Sequence, residues 1–199
     1  TGNSGADLPA GLSLSGSTLT VDPTDAAFDD LAAQATREIV VSYSVFDGTA
    51  SVAQTATITI TGTNDAPVVT LDAAGSNANN TATFTEVDGP DDGSAAVSFV
   101  TDGTSLADVD SANLATLTVS LADDSIEAGD QLILDSTTIA LDDTTSNTGE
   151  VTYGASSTVF KYAVTSDGTD TSVTFTSLDE TGGTAAAAAK ADYEALLDT

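Results

Sequence analysis

The sequence predicts an all-β fold of the sandwich type, and three observations carry that reading. Thr, Ser, Val, Ile, Asp and Gly dominate the 199 residues. Strand-length alternation of apolar and polar residues is broken repeatedly by turn formers, as in antiparallel sandwiches. The alternation ending in Ile58-Thr59-Ile60-Thr61 stops at Gly62-Thr63-Asn64-Asp65-Ala66-Pro67 and restarts at Val68. That restart divides the chain into residues 1–65 and 66–199, two tandem units joined by a stiff acidic link.

Leu12-Ser13-Leu14-Ser15 and Thr18-Leu19-Thr20-Val21 flank Gly16-Ser17 and read as a tight hairpin. Asp22-Pro23 ends it, and Phe28 to Ala33 reads as one helical turn. Glu38 to Phe46 alternates, Asp47-Gly48 turns, and Ser51 to Thr61 alternates back, a second and longer hairpin. After Pro67 the predicted strands are Val68 to Leu71, Thr81 to Thr85, Ala96 to Val100, Ala115 to Leu121, Gln131 to Leu134, Thr138 to Leu141, Val151 to Tyr153, Thr158 to Val164 and Thr171 to Thr176. Thr184, five alanines and Lys190 to Leu197 read as a crossover helix capped by Thr184, with Ala189, Tyr193 and Leu196 or Leu197 on one face. Both units look unfinished. Either the chain ends inside domains, or the two pieces complement one another. It starts mid-pattern and reads as an internal fragment of a longer polypeptide, with any export signal outside it.

The charge is one-sided: 31 acidic residues against Arg37, Lys161 and Lys190, a net −28. Nucleic acid and anionic membrane surfaces are excluded as partners, because both require Lys and Arg. The acid excess reads either as a solvated, salt-tolerant surface or as a store of cation ligands. Hydrophobic content of 40% with regular alternation argues against disorder. A surface of −28 repels its own copies, so a monomer is expected. The chain has no Cys and no His, which rules out disulfides, Cys or His metal sites and the usual Ser/His or Cys/His nucleophiles. No enzymatic role is expected. Paired carboxylates serve glycosidases, but nothing in the sequence places two acids in a cleft. Lys161, in Val159-Phe160-Lys161-Tyr162, is expected to face solvent.

The acids cluster at Asp29-Asp30, Asp47, Asn64-Asp65, Glu86 to Gly93 and Asp108-Val109-Asp110. Calcium takes six to eight oxygens from carboxylates, amide side chains and backbone carbonyls. Two carboxylates ~4 Å apart repel by roughly 4 kcal/mol at an effective dielectric of 20. A divalent cation turns that repulsion into attraction. Asp and Asn also favour turns for local hydrogen-bonding reasons. Asp123-Asp124, Asp142-Asp143, Asp167 and Asp170 read as turn residues. Asp29, Asp47, Glu86 and Asp88 read equally as turn residues or ligands, and Asp108 and Asp110 read as ligands. The stretch from Asp88 to Gly93 is not an EF-hand loop, since Pro90 and Phe99 stand where ligands are needed.

Asp22-Pro23, Phe28-Asp29-Asp30-Leu31, Val41 to Gly48 and Thr61 to Pro67 resemble the tandem VCBS and cadherin-like repeats of large bacterial surface adhesins, many of them secreted by type I systems as RTX proteins. The likeness continues in Phe84-Thr85-Glu86, Leu106 to Leu114 and Ala191 to Leu197, with a divergent middle from about Asp123 to Gly183. The resemblance implies tandem Ig-like, cadherin-like Greek-key sandwiches stiffened by Ca²⁺. It implies that Asn64 and Asp65 sit in the joint, with Asp108 and Asp110 reaching it from the second unit and Asp29 and Asp47 from the first. Glu86 is similar to the acid that serves the next joint downstream. Leu31 departs from the pattern, which has a second acid there.

The function implied is a structural extender module on the bacterial cell surface, with neighbouring repeats of the same polypeptide as its partners. An alternative is a sugar- or surface-binding module within the same adhesin, prompted by the long, divergent second unit and its rows of Thr. The absence of Trp makes sugar stacking a weaker reading.

Overall fold

The computed structural model describes residues 8–72, 79–83, 96–98, 100, 103–122, 126–142, 147–178 and 184–198. The chain is all-β with one short helix near its C-terminal end. It divides into two compact units: Thr1–Ala66 with Asp108–Ser111, and Pro67–Ala107 with Ala112–Thr199.

In the first unit, β1 (Leu12–Ser15) pairs with β2 (Thr18–Val21), and β3 (Thr36–Phe46) pairs with β4 (Ser51–Thr61) in full register from Thr36↔Thr61 to Phe46↔Ser51. The second hairpin turns where the sequence supplies Asp-Gly. The Asp47 carboxylate accepts the N–H groups of Thr49 at 2.8 Å and Ala50 at 2.7 Å. The bond from Ala50, followed by that from Thr49, holds its pKa below the ordinary value. Gly48 takes φ +100°, a region that costs a residue with a Cβ. Between the hairpins, Ala26–Phe28 forms a single 3-10 turn, capped by Asp25 accepting from the N–H of Ala27. Phe28 and Leu31 are the buried apolar side chains of this unit among the described residues.

The second unit holds the larger core. β8 (Thr116–Ala122), β11 (Thr148–Tyr153), β12 (Thr158–Ser166) and β13 (Asp170–Ser177) form one antiparallel sheet in the order β11-β12-β13-β8. Its period-2 pattern is clearest on β13, where Thr171, Val173, Phe175 and Ser177 are buried and the residues between them are half-buried. Lys161 is exposed and lies opposite Glu150 and Thr176. The turn between β12 and β13 repeats the device of the first unit. Asp167 accepts from Thr169 and Asp170 at 2.8 and 2.9 Å, and Gly168 follows at φ +86°.

Short pairs complete the unit: β5 (Val68–Thr70) with β6 (Ser105–Ala107), β7 (Asn113–Leu114) with β14 (Ala188–Ala189), and β9 (Gln131–Leu134) with β10 (Thr137–Ala140). Helix α1 (Lys190–Leu197) buries Tyr193, Leu196 and Leu197 in a core shared with Leu106, Leu134, Ile139, Val151, Phe160, Val173 and Phe175.

Three sequence expectations are corrected. The alanine run is not helical. Leu178 bridges Ala185, Ala186 N–H donates to the Ser177 carbonyl at 2.9 Å, and Ala188–Ala189 pairs with Leu114 and Asn113. The sheet's backbone groups outbid alanine's helix propensity, which is worth only tenths of a kcal/mol per residue over ordinary ones. The cap is therefore Ala189, without a side-chain bond, and not Thr184. Residues 81–83, 96–98 and 100 form no strand, because alternation alone supplies no partner ladder. The remainder of those two expected strands lies outside the described residues.

Tyr193 is fully buried. Its ring meets Phe160 edge-on at 4.8 Å, and its hydroxyl donates to the Ala115 carbonyl at 2.8 Å. Burial pushes its pKa above the ordinary value of 10.0. A raised folded-state pKa gives stability that is whole below the unfolded pKa and drains away as pH rises toward the folded one. The second unit is therefore expected to lose stability progressively above about pH 10. Tyr193→Phe is expected to flatten that slope in a series of urea melts across alkaline pH.

Candidate cation-binding site

The site is built on the residue that ends β4's ladder. Gly62 N–H donates to the Ala35 carbonyl at 2.8 Å, and the Gly62 carbonyl accepts from Gln34 N–H at 3.2 Å. A Cβ at Gly62 would collide with the carbonyl oxygens of Leu31 and Ala32, so the approach depends on glycine. Arg37 clamps the same loop. It forks the Asp30 carboxylate at 2.9 and 2.8 Å, donates to the Ala27 carbonyl at 2.6 Å, and sits 6.0 Å from the Phe28 ring centre. The backbone at Thr63 thus leaves β4 on a fixed base, two residues before Asp65.

Asn64 and Asp65 are exposed, and Asp108 and Asp110 are half-buried. Asp65 N–H donates to Asp110 Oδ2 at 3.1 Å across 45 residues of sequence. Asp108 Oδ1 accepts from Ser111 N–H at 2.9 Å and Asp110 N–H at 3.3 Å, which folds residues 108–111 into a tight turn. The Asn64 side-chain amide donates to the Asp65 carbonyl. Four of the sequence-predicted residues therefore lie together in the first unit: Asn64, Asp65, Asp108 and Asp110.

The other four do not join them in what the structure describes. Asp47 sits at the tip of the β3–β4 hairpin, while Asn64 follows its base. Eleven residues per strand separate the two ends, about 35 Å at the rise of an extended chain. Asp47 serves the turn and cannot share an ion with Asn64. Asp29 is exposed and closes the 3-10 turn through its backbone N–H to Ala26 at 3.4 Å. Glu86 and Asp88 lie outside the described residues.

Sequence reasoning passed over Asp30 as an ion-pair partner. The signal was present, since Arg37 is one of three bases in the chain and lies seven residues from it.

The donor types suit a hard cation, being carboxylate and amide oxygens with backbone carbonyls close by. Among the described residues no group of three or more carboxylates converges on a single point. Asp110 Oδ2 and Asp108 Oδ1 face backbone N–H groups, so a cation here competes with those bonds. No helix among the described residues is long and apolar enough to cross a membrane. Comparison with protein-family models, curated proteins and solved structures returns no match.

Proposed function

We propose that the chain is a calcium-stiffened extender from a secreted bacterial surface adhesin, two Ig-like Greek-key sandwiches in tandem that hold an adhesive tip away from the cell. The observation that supports this reading most is the 3.1 Å bond from Asp65 N–H to Asp110 Oδ2. It sets two acidic segments, separated by 45 residues, side by side. Asn64, Asp65, Asp108 and Asp110 would hold Ca²⁺, and Glu86 would serve a joint further along. Calcium would replace weak backbone contacts with short ionic ones and offset the repulsion among the carboxylates. The role is mechanical, without catalysis, and its partners are neighbouring repeats of the same polypeptide.

Thermal melts in EDTA and then in excess calcium test this. A ligand that binds only the folded state at about 100 times its dissociation constant adds about 2.7 kcal/mol. For a chain of this length that is an upward shift of about 5–10 °C. Asp110→Asn is expected to remove most of the shift while leaving the EDTA midpoint in place. An unchanged midpoint in calcium ends the proposal.

A sugar- or surface-binding module is the second reading. The outer face of the four-stranded sheet favours it, with Thr118 against Thr174 at 3.2 Å and Ser120 against Ser172 at 2.9 Å between hydroxyl oxygens. That reading requires retention on a ligand surface whether or not calcium is present.

A further inference from the structure

Glu194 is half-buried on α1, flanked by Tyr193 and Leu196, which are both fully buried. The helical turn that carries it is therefore anchored in the core. Glu194 Oε1 accepts the Leu106 N–H at 2.7 Å, across 88 residues of sequence. Leu106 sits opposite Val69 in the β5–β6 ladder. In an antiparallel pair, the N–H groups of successive residues point alternately toward the partner strand and away from it. The Leu106 N–H is one that points away from β5, and Glu194 takes it where a third strand would.

That ladder leads directly into the candidate site. It has three pairs, Val68↔Ala107, Val69↔Leu106 and Thr70↔Ser105. Asp65 lies three residues before Val68, and Asp108 follows Ala107. The same short ribbon therefore sets where both acidic segments begin. A two-stranded ribbon is marginal alone, and Val68 and Val69 are 58% and 39% exposed. The turn over residues 108–111 is tied within itself by Asp108 Oδ1, which accepts from the N–H groups of Asp110 and Ser111. Its apolar side chain, Val109, is 58% exposed and gives it no anchor in a core. The position of the turn is thus set through Ala107 by β6. The Leu106 side chain packs into the core, and the Glu194 bond fixes the backbone beside it.

We propose that Glu194 is a positioning residue for the cation site, holding β6 so that Asp110 meets Asp65 and thereby linking α1 to ion binding. This rests on the calcium-stiffened reading above. Partners that orient metal ligands from behind typically change metal affinity ten- to a hundredfold when removed, by about the factor expected here. The linkage is reciprocal, so an ion at the site in turn steadies α1.

Amide NMR spectra of the intact chain in EDTA, followed by calorimetric titration with calcium, test the proposal. Glu194→Ala is expected to shift the Asp65 amide resonance in EDTA and to weaken calcium binding about tenfold or more. Glu194→Gln removes the charge but keeps an acceptor oxygen, and is expected to stay within about threefold of the parent chain. Tyr193→Phe is the control for lost stability, being on the same helix with its hydroxyl on Ala115 and not on β6. Its Asp65 resonance and calcium affinity are expected to match the parent's. An Asp65 resonance that stays in place in Glu194→Ala, or moves as far in Tyr193→Phe, overturns the positioning role. Equal losses of affinity in the Ala and Gln variants reduce the effect to charge and overturn it as well. A parent chain that takes up no calcium ends the extender reading, while the EDTA spectra still decide whether Glu194 holds the turn.

Discussion

Replacing Tyr193 by alanine is expected to lower the stability of the second unit by about 3–5 kcal/mol, the range for removing a large aromatic side chain from a core. The side chain has no exposed surface and packs edge-on against Phe160, which is itself fully buried. Its loss leaves a cavity against Phe160 of β12. It also leaves the Ala115 carbonyl without the Tyr193 hydroxyl. Tyr193→Phe separates the two contributions, because it keeps the ring and removes only the hydrogen bond, at about 1 kcal/mol. Urea melts followed by far-UV circular dichroism measure both. If Tyr193→Ala costs under about 1 kcal/mol, the helix is not part of the core.

Gly154→Ala is the second large effect, at about 2–5 kcal/mol, and it reports on the first turn of the same helix. Gly154 lies in the turn from β11 to β12 with φ +81°. The left-handed backbone alone costs a residue with a Cβ roughly 1–2 kcal/mol. The added methyl would also collide with the Asp192 carboxylate, an overpacking cost of about 1–3 kcal/mol. Asp192 cannot simply yield. It is 4% exposed, accepts the Thr158 hydroxyl at 2.7 Å, and sits in the first turn of α1, where a negative charge is favoured. Gly168 supplies the control, since its φ is +86° and no atom lies within 4 Å of the place a Cβ would take. Gly168→Ala should show only the backbone strain. Equal losses in the two variants would mean that Asp192 does not press on the turn.

The elements legible in the sequence are those whose signal is local. The β3–β4 hairpin could be read because alternation and an Asp-Gly turn agree over more than twenty residues. Gly16 and Gly168 mark turns for the same reason. Strands β6, β7 and β14 span two or three residues each, too few to carry a period, and exist because a distant partner offers backbone groups. The alanine run shows the same effect in reverse, as a weak local preference lost to a sheet edge. At the candidate site, Asn64 and Asp65 were marked by their place after a strand. That Asp110 meets Asp65 could not be read from periodicity, and the expectation came only from resemblance. Gly62 drew no attention in the sequence, because its role depends on where the Leu31 carbonyl comes to rest.

The tie between α1 and earlier strands also sets a clock. Leu106 N–H is held by Glu194 at 2.7 Å, across 88 residues, and the β7–β14 pair spans a similar length. During synthesis the core around Phe160 and Phe175 has Leu106, Leu134 and Ile139 but lacks Tyr193, Leu196 and Leu197 until Leu197 has been added. Loops that long must close before their contacts repay the entropy. A nascent second unit therefore completes its core only once α1 has emerged, in a late, slow step.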